Sequence, residues 1–171
     1  MFDLVNGLPI HPLVVHAVVV LLPVAMLGTI ALAVRPRWRR PYGPLLIVVT
    51  AVATALIPVA TSSGEALEKR VGNPGEHAEL GDQLIWFAIP LLVLLVALVV
   101  LDRRRTPSET RTGDATVATR SSSSKALTAV AVLAVIAGLA TTVQVYRIGD
   151  SGARAAWGDQ VSGSSSGGES D

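Results

Sequence analysis

The sequence predicts an all-α integral membrane protein, a four-helix bundle that crosses the bilayer four times with both termini outside. Three observations predict it. Half of the 171 residues are hydrophobic and only 16% are charged, more apolar sequence than a soluble chain of this length has interior to hide. The apolar residues are gathered in long blocks, close to the roughly 20 residues that a hydrocarbon core requires. No block alternates polar with apolar as a barrel strand would, and lipid admits only helices or closed barrels.

The first span is read at residues 13–34, where His16 is the one ionisable residue. The second, at 45–62, carries no charge and is extended by Thr61 and Ser62. The third is placed at 84–101 and the fourth at 126–145, again without charges. The connection RPRWRRPYGP between the first two spans is short, so they are expected to be antiparallel neighbours. Residues 106–124 are rich in Ser, Thr and Arg without apolar periodicity and read as a disordered cytoplasmic linker. The membrane domain is taken as 1–158, with 159–171 as a disordered tail. No internal repeat is evident in the sequence.

Charge sets the expected orientation. Arg35, Arg37, Arg39 and Arg40 follow the first span; Arg103, Arg104, Arg105, Arg111, Arg120 and Lys125 lie between the third and fourth. Ten of the fourteen cations thus sit in two connections on one side, which the positive-inside rule assigns to the cytoplasm. Trp38 and Tyr42 mark the inner interface, and Trp86, Phe87, Tyr146 and Trp157 the outer one. Cations follow the first apolar run instead of preceding it, which argues against a cleaved signal peptide.

In the outer connection, Asn73-Pro74-Gly75-Glu76 reads as a helix start, with Asn73 as N-cap and Pro74 at the first helical position. His77 then falls on one face with Gly81, Leu84, Ala88, Leu91 and Leu95. Pro23, Pro58 and Pro90 lie inside spans, where proline is tolerated as a kink. Ala51 with Ala55, and Ala134 with Gly138, are small pairs four apart that allow close helix approach.

The chemistry gathers at the histidines. The chain has three, and no cysteine, so disulfides, thiolate metal sites and covalently attached c-type haem are excluded. Counting outwards from the inner boundary at ~1.5 Å per residue puts His11, Glu65, His77 and Asp150 at one level, about 36–37 Å up, with His16 at about 28 Å. His11 precedes Pro12 and is expected to be extended, free to fold inwards. Neutral imidazole is a common metal and haem ligand. His11 or His16 with His77 could clamp a b-type haem, with Arg70, Arg147 and Arg154 near its propionates. His11, His16, His77, Glu65 and Asp150 alternatively form a mixed nitrogen and oxygen set for a divalent metal. On a third reading the histidines bond backbone carbonyls and close the end of a purely structural subunit. Asp150 and Arg154, four apart, fit an ordinary surface pair. No nucleophile–base set, phosphate-binding loop or nucleic-acid motif is visible, so a small binding or accessory module, redox-linked in the haem case, is expected ahead of an enzyme.

GLPIHPLVVHAVVVLLP, with the segments SSGEALE, HAELGD and GDSGARAAWG, resembles the bacterial membrane proteins gathered as domain of unknown function 2231. The resemblance runs from about Gly7 to Gly158. It implies a four-span domain in the bacterial plasma membrane, sometimes joined to redox modules. Some members carry a histidine near the outer end of the fourth span; this chain has Asp150 there.

Overall fold

The structure is a computed structural model describing residues 4–5, 8–71, 75–104 and 116–164, with side chains described over 11–66, 75–104, 125–154 and at 157. After a two-residue antiparallel pairing of Leu4–Val5 with Leu8–Pro9, four helices follow: α1 (Ile10–Val34), α2 (Arg39–Val71), α3 (Glu76–Arg103) and α4 (Thr116–Ser164). All four are long and apolar enough to cross a membrane. Each packs on its two neighbours in a ring, α1 on α2 and α4, α3 on α2 and α4, leaving α1 and α3 on opposite corners.

The first turn follows from Arg35-Pro36. Proline disfavours the helical region for the residue before it, and Arg35 takes φ −121°, ψ 81°. A single 3₁₀ turn, Pro36–Trp38, then feeds α2. Arg39, only 5% exposed, turns back to close α1: its Nε donates to the Leu32 carbonyl at 2.8 Å and Nη2 to that of Ala33 at 3.3 Å. These belong to the helix end's otherwise unsatisfied carbonyls. Its Nη1 reaches Asp102 at 3.4 Å, tying the turn to the far end of α3.

A bundle in lipid gains no hydrophobic drive between helices and is held by packing and by internally satisfied polar groups. Only a stripe of each helix is buried. On α1 it is Val18, Leu22, Ala25, Thr29 and Leu32, while Leu13, Val20, Leu27 and Val34 face outward. Thr29, Thr50, Thr54 and Thr142 each donate to the carbonyl four residues back, which hides the hydroxyls. Ala134 is fully buried, and a Cβ added at Gly138 would meet Met26 Cγ at 3.2 Å, so that small pair does lie at a close contact. Ala55, by contrast, is exposed.

Several local expectations change. His11 is helical, not extended: α1 begins one residue before it, and a first-turn proline loses no intrahelical bond because that N–H has no partner. Helix α3 begins at Glu76 with Gly75 as its cap, at φ 59° and without a side-chain cap bond. Asn73 and Pro74 lie outside the described residues. Helix α4 starts at Thr116, within the expected linker, and runs to Ser164, within the expected tail. A helix already nucleated by an apolar span gains a hydrogen bond for each residue it adds, so sequence of middling propensity continues it. Residues 106–115 and 165–171, the rest of those two segments, lie outside the described residues.

Candidate functional site

Two histidines, at the same end of the bundle, make the same contact twice. His11 on α1 reaches across to α2. Its Nδ1 lies 3.0 Å from the Ala60 carbonyl and 3.2 Å from Ser63 Oγ. A carbonyl only accepts, so Nδ1 carries the proton. Ser63 itself donates to the Ala60 carbonyl at 2.9 Å. The ring edge lies over Gly64, where an added Cβ would stand 3.0 Å from His11 Cε1.

His77 on α3 meets α4 identically. Its Nδ1 lies 3.0 Å from the Ile148 carbonyl and 3.3 Å from Ser151 Oγ, and Ser151 donates to that carbonyl at 2.9 Å. A Cβ at Gly152 would stand 3.0 Å from both Cε1 and Nδ1 of His77. In each clasp a carbonyl at position i, a serine at i+3 and a glycine at i+4 form one face of a helix turn. Glycine lets the ring approach this closely, because a Cβ there would press on the imidazole and push it outward by a few tenths of an ångström.

With Nδ1 donating, Nε2 makes no hydrogen bond to the described residues, and it is the nitrogen whose lone pair a metal would take. A histidine that ligates a metal usually has this form, one ring nitrogen fixed by a carbonyl and the other presented. Both rings are half-buried. Beside His77, one turn along α3, Gly81 borders open space: an added Cβ would meet no atom within 4 Å.

The other expected residues lie apart from this pair. His16 is exposed on the outer surface of α1, its Nδ1 bonded to the carbonyl of Pro12 on its own helix. Five residues of helix rotate it well away from His11. Glu65 is exposed, one residue beyond the Gly64 contact. Asp150 is engaged by Arg154 at 3.0 Å, the surface pair expected from their spacing. No three His, Asp or Glu side chains among the described residues come together to hold a metal ion.

Ser63, Gly64, Ser151 and Gly152, which lie in the segments SSGEALE and GDSGARAAWG, were not among the expected site residues. The available signal is a Ser-Gly pair at the same end of α2 and of α4, each opposite a histidine at the start of the preceding helix.

Deeper in the same end, buried Gln144 donates from Nε2 to the Leu80 carbonyl at 3.1 Å. Thr141 donates to the Phe87 carbonyl at 3.0 Å. Both bonds join α3 to α4 beneath the His77 clasp.

Fold and site together define a polytopic membrane protein, four helices closed at one end by two histidine clasps and at the other by an arginine–aspartate tie. The chain belongs to the family described as Predicted membrane protein (DUF2231), whose model matches residues 7–165. No curated protein and no solved structure matches it.

Proposed function

We propose that this is a small membrane-embedded binding module of the bacterial plasma membrane, with His11 and His77 as its ligand-holding pair at the outer face. The observation that carries the reading is the shared state of the two imidazoles: Nδ1 fixed by a carbonyl of the next helix, Nε2 without a hydrogen-bond partner among the described residues. A bare divalent ion asks for three or more protein ligands, and the described residues gather no such set. A metalloporphyrin brings its own equatorial nitrogens and needs only one or two axial imidazoles. The pair therefore favours haem b over a bare metal, and a haem there would supply one-electron redox chemistry. His11 and His77 would hold its iron, Gly81 would leave it room, and exposed Arg147 is within the same end of α4 for its carboxylates.

A second reading rests on the glycine contacts. Each ring packs closely against a glycine of the neighbouring helix, so the clasps also serve a purely structural subunit that binds nothing.

An oxidised-minus-reduced visible spectrum of the detergent-purified protein, expressed with haem precursor, tests the first reading. A Soret band and a sharp α-band on reduction are expected, with both lost in His11→Ala and His77→Ala proteins that still insert. A featureless spectrum from folded wild-type protein would leave the structural reading standing alone.

A further inference from the structure

Laying α1 on α3 with His11 over His77, an offset of 66, matches the two buried stripes. Val18, Leu22, Ala25, Thr29 and Leu32 fall on Leu84, Ala88, Leu91, Leu95 and Leu98, and all ten are buried. Laying α2 on α4 with Gly64 over Gly152, an offset of 88, does the same. Ala53 falls on Thr141 and Ile57 on Val145, all buried, and Gly43 falls on Ala131. Thr54 and Thr142 coincide too, and each donates to the carbonyl four residues back. Ala60, Ser63 and Gly64 land on Ile148, Ser151 and Gly152, the three contact points of the two clasps.

We infer that the chain is a tandem repeat of one two-helix unit, and that His11 and His77 are the two halves of a single site, each giving one axial imidazole to one shared metalloporphyrin. The ligand half of this inference rests on the function proposed above; the repeat does not. Two helices per unit and a closed ring of four place the units about a pseudo-two-fold axis along the bundle. That axis carries α1 onto α3 at the opposite corner, and His11 onto His77 at the same height. Both histidines continue the buried stripe of their helix, two turns beyond Val18 and Leu84. A ligand bound on the axis would be held by one imidazole from each unit. His16 has no place in the site, because its counterpart 66 residues on is Asp82, exposed like itself.

The test titrates haemin into detergent-purified wild type, His11→Ala and His77→Ala, reading stoichiometry and spin state from the visible spectrum. The expected result is one haemin per chain and a low-spin spectrum in the wild type. Each variant should shift to the same high-spin spectrum, and added imidazole should restore low spin in both. Two haemins per chain, or a low-spin spectrum surviving in either variant, would overturn the shared site. If the wild type binds none, the ligand reading fails with it, and thermal unfolding of Gly64→Ala and Gly152→Ala decides the repeat. Similar losses of Tm support equivalent clasps; a loss at one glycine alone refutes them.

Discussion

Arg39, a charge that sequence reading places in solvent, is buried in the bundle, only 5% exposed. Arg39 belongs to a run of four arginines that sets the expected orientation, yet its guanidinium is enclosed by two carbonyls of α1 and the carboxylate of Asp102. Nothing in RPRWRRP separates it from its neighbours, since the distinction comes from where the 3₁₀ turn points. Arg35 shows the contrast, exposed and lying over the Trp38 ring at 5.3 Å. Replacing Arg39 with Met removes the helix-end bonds and leaves half-buried Asp102, among the described residues, with the longer contact to Arg40 at 3.9 Å. We expect a loss of about 2–4 kcal/mol, read as a fall in the midpoint of denaturant unfolding in detergent. Arg37→Met, at an exposed position, should move it by less than ~0.5 kcal/mol. Equal effects at the two positions would show that the buried ties contribute nothing.

Among the elements, the prolines organise polar contacts between helices. Pro44 cannot donate to the Arg40 carbonyl, and Arg103 supplies a donor from α3 instead, at 3.4 Å. Pro90 likewise loosens the ladder of α3, and the adjacent Phe87 carbonyl takes a bond from Thr141 on α4. Thr141→Val keeps the shape and deletes that bond. Interhelical bonds of this kind in membranes average ~0.6 kcal/mol, so a loss of about 1 kcal/mol is expected, with the α3–α4 pair loosened ahead of α1–α2 in hydrogen exchange. Uniform exchange across both pairs would refute a local role. The spans themselves were legible because length and apolarity decide them, and each predicted span lies within one helix. Helix ends were less so. The rule that bends the chain before proline succeeded at Arg35, in mid-chain, and failed at His11, where the first turn of a helix demands nothing of the proline nitrogen.

For the whole molecule, an odd or even count of crossings is what topology depends on. A reporter fused after Asp171 and another inserted near Gly113 should lie on opposite faces, the first active outside the cytoplasm. Cytoplasmic activity at the C-terminus would reverse the orientation and put the histidine pair on the inner face. The bundle was readable in advance and the repeat was not, for two physical reasons. Positions facing lipid accept any apolar side chain, so the units share only their interior stripe and the clasp residues. The offset also changes from 66 to 88 between the first and second helices of the unit, because the connection before α4 is longer than the turn before α2, and a fixed period never shows. The histidines themselves were found, and of the three readings weighed for them one had them bond backbone carbonyls, as His11 and His77 do. The serine and glycine beside each carbonyl were not foreseen, because helix rotation alone decides which small residues lie opposite a ring.

The unit crosses the membrane an even number of times, and that parity carries a consequence for how such a chain could have arisen. A copy made of an even unit re-enters from the side on which the original began, so it inserts the same way up. Both histidines therefore reach one compartment without any change in the flanking charges. A unit of one or three crossings would have sent its copy in inverted, one histidine to each face, and no common site could form. Doubling this hairpin gives a paired site at once, and each later substitution needs only to tune one half against the other.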